Sequence, residues 1–177
     1  MTNPLLPELI DAYRFARRRP VRKDLERAGL TFGDDYLWGL ARVEVDDHFY
    51  QPVPDGRLAL IVGAFEGGML TDLVAISGAT FGLRTRRGDA DLLGHDVLEA
   101  VRWARTPLAL YESPWSWLRA GRRGVTVVNW RAVPGLLSDV AEIRCETAAL
   151  ARRVDAAFAR PVPRPPLFVL TPKQKES

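Results

Sequence analysis

Apolar positions recur at helical spacing near the start of the chain. Pro4 and Pro7 suit a helix start, and the apolar residues that follow predict a first helix ending near Arg19. A second short helix is predicted over Arg22–Ala28, because the glycine after it is typical of a helix end. We therefore expect a helical N-terminus.

Short apolar runs separated by turns follow, up to residue 85. The turns are rich in Gly, Pro and Asp, which favours an antiparallel β-meander. Leu58–Val62 is apolar without alternation, which predicts a central strand covered on both faces. The predicted strands are Gly39–Asp46, Arg57–Phe65, Met69–Ser77 and Thr80–Thr85.

The C-terminal half alternates short helices and strands. Leu92–Ala104 predicts one helix, or two helices broken near Gly94, and Ser113 suits the N-cap of a later short helix. Further strands are predicted over 108–111, 125–128 and 142–145, and helices over 114–120, 130–137 and 146–160. The pattern indicates a single α+β domain over residues 1–160. A Pro-rich extended segment and polar tail follow over residues 161–177.

Composition agrees with a globular protein. The 177 residues are 47% hydrophobic and 27% charged, which argues against a disordered or fibrous chain. Cys145 is the single cysteine, so an internal disulfide is excluded and a reducing compartment is favoured. The start of the chain lacks a secretory pattern, and its apolar runs are too short to span a bilayer. We expect a cytoplasmic protein that does not enter a membrane.

Charge is unevenly distributed along the arginine-rich chain. The net charge is +3 and the pI is about 9.3, which suits nucleic acid but is common in soluble proteins. Residues 14–27 hold seven cationic and two acidic side chains, whereas residues 34–72 hold eight acidic and two cationic ones. These regions could contact a partner, or they could pair with each other within the fold or across a homodimer.

One segment combines tryptophan with arginine. Ser113–Ser138 contains three of the five tryptophans and four arginines, and it contains no Asp or Glu. Indole rings stack on bases and guanidinium groups bind phosphates, so this segment predicts an Arg/Trp surface that binds nucleic acid. Its residues are Trp115, Trp117, Arg119, Arg122, Arg123, Trp130 and Arg131.

The tryptophans have an alternative interpretation as core residues, because indoles usually anchor the interior. Trp115 and Trp117 are two positions apart, so a helix directs them about 200° from one another. At most one of them can face fully inward.

A secondary basic patch is predicted near the N-terminus. A solvated helix end would explain it equally well, because the helix dipole favours cations there. Its residues are Arg14, Arg17, Arg18, Arg19, Arg22 and Lys23.

Other site chemistry receives little support. Glu44, Asp46 and His48 alternate on a predicted strand, but a metal site needs at least three convergent ligands, and a solvated face explains them as well. A P-loop is excluded because no lysine lies between Lys23 and Lys173. The chain also lacks a dinucleotide fingerprint, a nucleophile elbow and the ligands of a structural zinc site. We predict no catalytic residue, metal or cofactor.

One stretch is similar to the opening of a Toprim domain. Leu108–Glu112 reads as a strand ending in an acid, and it precedes a helix and the run Gly124–Val128. The resemblance implies that the strand delivers Glu112 to a metal-dependent phosphoryl-transfer site. The later Asp-x-Asp pair of that family is missing, because Asp139 and Asp155 do not have its spacing. At most, the resemblance implies an inactive relative.

The sequence thus favours a small, non-enzymatic binding protein. It would contact nucleic acid, or a nucleic-acid-handling partner, through the Arg/Trp surface. One alternative is a protein-interaction or oligomeric assembly module that uses the acidic sheet and the Pro-rich tail. The other is a divalent-metal-dependent phosphoryl-transfer enzyme, or an inactive Toprim-like relative.

Overall fold

The described elements are helices and strands in the predicted α+β arrangement. A computed structural model of the protein describes residues 3–32, 37–76 and 82–159, so the predicted Pro-rich tail lies outside the described residues. The helices are α1 Leu5–Ala16, α2 Arg19–Arg27, α3 His95–Ala104, α4 Pro114–Arg119, α5 Val133–Leu137 and α6 Ala148–Phe158. Within these ranges no helix is both long and apolar enough to cross a membrane.

The first sheet is a closed barrel of five strands in the order β1-β2-β5-β4-β3. The strands are β1 Trp38–Asp46, β2 Phe49–Pro52, β3 Arg57–Glu66, β4 Met69–Ile76 and β5 Leu83–Thr85. The predicted antiparallel pairing is confirmed for β1 with β3, β3 with β4 and β4 with β5. Strand β2 was not predicted, and its parallel pairing with β5 at Phe49 and Thr85 closes the barrel.

Strand β3 is buried on both faces from Ala59 to Ala64, as its apolar run predicts, whereas Leu58 at the start of that run is exposed. Ala59 and Ile61 belong to a core cluster that includes apolar residues of α1, whereas Leu60 and Val62 face a second cluster that reaches α4. Helix α1 also packs closely on β1. A Cβ atom at Gly39 would overlap the backbone of α1 at Ala12, so the absence of a side chain permits this contact.

The second sheet has the order β6-β8-β7-β9. Its strands are β6 Leu92–Leu93, β7 Leu108–Tyr111, β8 Val125–Val127 and β9 Ile143–Cys145. Strand β7 is parallel to both β8 and β9. The carboxyl ends of these three strands therefore meet at one edge, which we call the carboxyl edge.

A buried carboxylate joins the barrel to the second sheet. Asp72 on β4 is fully buried, and its two oxygens accept six backbone N–H groups at 2.7 to 3.2 Å. Five of the donors belong to the loop that leads from β5 to the second sheet. Bonds to an ionised acceptor are stronger than neutral ones, so Asp72 fixes the path of this loop. The donors are Leu73, Arg86, Arg87, Gly88, Asp89 and Ala90.

A second polar network ties α1 to the same region. The buried Tyr50 hydroxyl donates to Glu8 Oε1 at 2.8 Å, and Arg86 Nε donates to Glu8 Oε2 at 3.0 Å. Burial, together with the negative charge of Glu8, raises the pKa of Tyr50 well above its ordinary value.

Candidate nucleic-acid interface

The fold divides the Arg/Trp surface between two edges of the second sheet. Because β7 and β8 are parallel, α4 must run back from the carboxyl edge to the opposite edge before β8 begins. Helix α4 has six residues and is therefore about 9 Å long. Trp115 lies at its start and Trp130 follows β8, so both tryptophans lie at the carboxyl edge. Arg122 and Arg123 precede β8 and lie at the opposite edge.

Trp115 and Trp130 line one groove between the carboxyl edge and the barrel. Its volume is about 660 Å³, and Glu112, Ser113 and Arg153 share the lining. These five residues define what we call the carboxyl-edge groove. Open α/β sheets commonly bind ligands outside the carboxyl ends of their strands, so the groove has a position suited to binding.

The start of α4 sets the positions of the neighbouring tryptophans. Ser113 is the N-cap, and its Oγ accepts the N–H of Ser116 at 3.1 Å. Trp115 is half-buried beside the groove, whereas Trp117 is only 5% exposed and belongs to the core. The Nε1 of Trp117 donates to the carbonyl of Gly124 at 2.8 Å. Trp117 is therefore not available to stack on a ligand in this structure.

Trp130 is paired with an arginine that the sequence did not indicate. The guanidinium carbon of Arg153 lies 3.9 Å from the centroid of the Trp130 ring. Arg153 lies on α6, whose N-cap Thr147 accepts the N–H of Leu150 at 3.0 Å. Along the sequence, Arg153 is one position in the predicted last helix, 146–160. Its contact with Trp130 depends on how α6 packs against the second sheet.

Glu112 places a carboxylate beside the two indoles. It is exposed at the end of β7, and its Oε2 accepts the hydroxyl of Thr147 at 3.3 Å. Its backbone N–H donates to Oε2 of Glu146, which follows the adjacent parallel strand β9, at 2.9 Å. Glu146 was not predicted as a site residue, because the sequence pattern places it at the start of the last helix, which in the structure begins at Ala148. Strand pairing, which the local pattern does not reveal, brings the carboxylate of Glu146 to the backbone of Glu112.

Among the described residues, no group of three or more His, Cys, Asp or Glu side chains is arranged to hold a metal ion. The alternating set Glu44, Asp46 and His48 is exposed on β1 and the turn after it. His48 Nε2 lies 3.6 Å from an oxygen of Asp47.

The arginines of the Arg/Trp surface have separate environments. Arg119 Nε donates to the carbonyl of Ala28 at 2.9 Å and so joins α4 to the end of α2. Arg122 has a left-handed backbone, with φ of +64°, and is half-buried near the start of α3. Arg123 and Arg131 are exposed, and Arg131 directly follows Trp130. Only Arg131 among these four follows the strand that ends at the carboxyl edge.

The secondary basic patch is largely engaged in contacts within its own region. Two of its arginines pair with carboxylates and three lie over aromatic rings, Arg22 doing both, while Lys23 is exposed. The side chain of Arg19 lies outside the described part of the chain. The contacts are Arg14 with Asp11, Arg22 with Glu26 and Phe32, Arg17 with Tyr13 and Arg18 with Phe15.

Comparison with known proteins gives one likeness of fold. No family model matches the chain, and no curated protein matches it. Among solved structures, the chain is similar to the primase of Aquifex aeolicus, in a crystal structure of its zinc-binding and RNA polymerase domains. The TM-score is 0.50 at 12% sequence identity, over 85% of this chain and 59% of that one. The likeness shows the fold alone, and the chain spans somewhat more than half of that primase chain.

Proposed function

We propose that this protein binds nucleic acid, with the carboxyl-edge groove as its principal contact. The observation that carries the proposal is the convergence of Trp115, Trp130 and Arg153 on one groove of about 660 Å³. Stacking of one base on an aromatic side chain contributes about 1–3 kcal/mol. Guanidinium groups add phosphate binding and a planar surface of their own.

The likeness to a primase supports the same class of ligand. That protein, as its description says, contains an RNA polymerase domain, so its fold occurs in a protein that handles nucleic acid. A basic chain, with a pI of about 9.3, is compatible with such a ligand.

The proposed contact surface is smaller than the surface that the sequence suggested. It consists of the carboxyl-edge groove with Arg131 at its side. Trp117 is excluded because it is buried and hydrogen-bonded, and Arg119, Arg122 and Arg123 lie toward the opposite edge. Assembly through the acidic region and the Pro-rich tail stays a prediction, as do the homodimer and the cytoplasmic location.

Fluorescence anisotropy with labelled 20-nucleotide single strands and duplexes tests the proposal. We expect saturable binding at 50 mM salt that weakens steeply by 200 mM, because phosphate contacts release counterions. Trp130→Ala should weaken binding by about 5- to 150-fold, which corresponds to about 1–3 kcal/mol. Arg131→Ala should reduce the slope of log K against log salt by about one.

Trp103→Ala is the matched control. Trp103 is 91% exposed and lies outside the groove, so its loss should leave the affinity within about twofold of the unmodified protein. Circular dichroism must show that the Trp130 variant stays folded. Absence of saturable binding at 50 mM salt would refute the proposal. If the Trp103 and Trp130 variants weakened binding equally, the carboxyl-edge groove would be excluded as the principal contact.

A further inference from the structure

The Glu112 carboxylate has a setting that phosphate binding does not explain. It lines the carboxyl-edge groove, and among the described residues no cationic side chain forms an ion pair with it. By contrast, Glu8, Glu99 and Glu142 each pair with an arginine. A carboxylate repels phosphate but accepts N–H donors well. Its position beside two indoles therefore suits the edge of a stacked base.

The four bases differ in what they offer a carboxylate. Guanine presents two adjacent donors, N1–H and the N2 amino group, which match the two oxygens of one carboxylate. Adenine and cytosine present one amino group beside a ring nitrogen that accepts. Thymine and uracil present one N–H between two carbonyl oxygens, which a carboxylate repels. Guanine is therefore the base that Glu112 fits best.

On the basis of the proposed function, we propose that the carboxyl-edge groove holds an unpaired guanine, with Glu112 accepting hydrogen bonds from its Watson–Crick edge. The hydroxyl of Thr147 donates to Glu112 Oε2 and helps to orient the carboxylate, which retains lone pairs for a base. Trp115 supplies apolar ring surface for stacking, and Trp130, which has Arg153 over one face, supplies the ring surface that Arg153 leaves uncovered.

The size and form of the groove agree with this ligand. A volume of about 660 Å³ lies within the range of sites that bind small organic molecules. A base inside a duplex has its Watson–Crick edge occupied and its faces stacked. Sequence-specific recognition of that edge therefore requires an unpaired nucleotide.

Competition among matched single strands tests the inference. The probes are labelled 15-nucleotide thymidine strands whose central position holds thymidine, dG or inosine. The base of inosine keeps N1–H but lacks the N2 amino group. We expect the dG strand to bind about five- to tenfold more tightly than the all-thymidine strand. The inosine strand should bind only slightly more tightly than the all-thymidine strand. Glu112→Gln should bring the ratio to about one, because an amide has one acceptor oxygen and repels one of the two donors.

Glu142→Gln is the control for loss of charge. Glu142 is an exposed carboxylate that pairs with Arg144 outside the groove, so this variant should preserve the ratio for dG. Equal binding of all three strands by the unmodified protein would overturn the guanine assignment and leave the proposed function standing. Absence of binding by every strand would overturn both. A ratio that Glu112→Gln leaves unchanged would exclude Glu112 as the recognising group.

Discussion

Replacement of Asp72 by Asn tests how the barrel is held to the second sheet. The side chain is buried, and each of its oxygens accepts three backbone N–H groups. An amide keeps one acceptor oxygen and places N–H donors where the other oxygen stood. In the orientation that preserves Oδ1, the N–H groups of Gly88, Asp89 and Ala90 then face another donor.

The expected loss follows from these contacts. Ala90 is buried, so its N–H would lose its acceptor without access to water, at a cost of about 1–3 kcal/mol. Gly88 and Asp89 are exposed, and water can replace their lost bonds. The bonds to the remaining oxygen lose their charged acceptor, which adds about 1 kcal/mol to the loss of stability. We expect a total loss of about 2–4 kcal/mol in the free energy of unfolding, or roughly 5–15 °C in Tm.

Urea unfolding and calorimetry measure the loss, and hydrogen exchange locates it at amides 86–90. Asp89→Asn is the matched control, because it removes the same charge from an exposed side chain on the same loop. The control should change stability by less than about 0.5 kcal/mol. If Asp72→Asn were as stable as this control, the six hydrogen bonds could not have the role that we give them.

Two further predictions concern α1. Gly39→Ala should lower the free energy of unfolding by about 1–3 kcal/mol, because the new methyl group meets the backbone of Ala12. Gly135→Ala, which has open space, should be neutral or slightly stabilising in the same urea titration, and equal losses in the two variants would contradict this account. In Tyr50→Phe, the stability deficit relative to the unmodified protein should narrow above about pH 10. The raised pKa keeps Tyr50 protonated only when folded, so the unmodified protein loses up to about 1.4 kcal/mol per pH unit there. Unfolding free energies that keep a constant difference between pH 8 and 11 would contradict this prediction.

Apolar periodicity and capping residues, which act over a few residues, were sufficient to predict many of the helices and strands. Strand Leu108–Tyr111 has the predicted bounds, and the short helix after it begins at Pro114 with Ser113 as its N-cap. Helix α1 ends at Ala16 instead of near Arg19, because Arg18 adopts an extended backbone before α2 begins. The difference concerns only the boundary between α1 and α2, where either helix could include the same residues.

The sequence by itself determined the α+β class, the covered central strand and the presence of indoles and guanidinium groups in one segment. Tertiary structure decided which of these groups meet. A parallel crossover carries Arg123 to the edge opposite Trp115, and the packing of α6 brings Arg153 onto Trp130. Pairing of β7 with β9 brings Glu146 beside Glu112. Such contacts depend on strand order and helix packing between distant segments, whereas a periodic pattern reports only the neighbours of each residue along the chain.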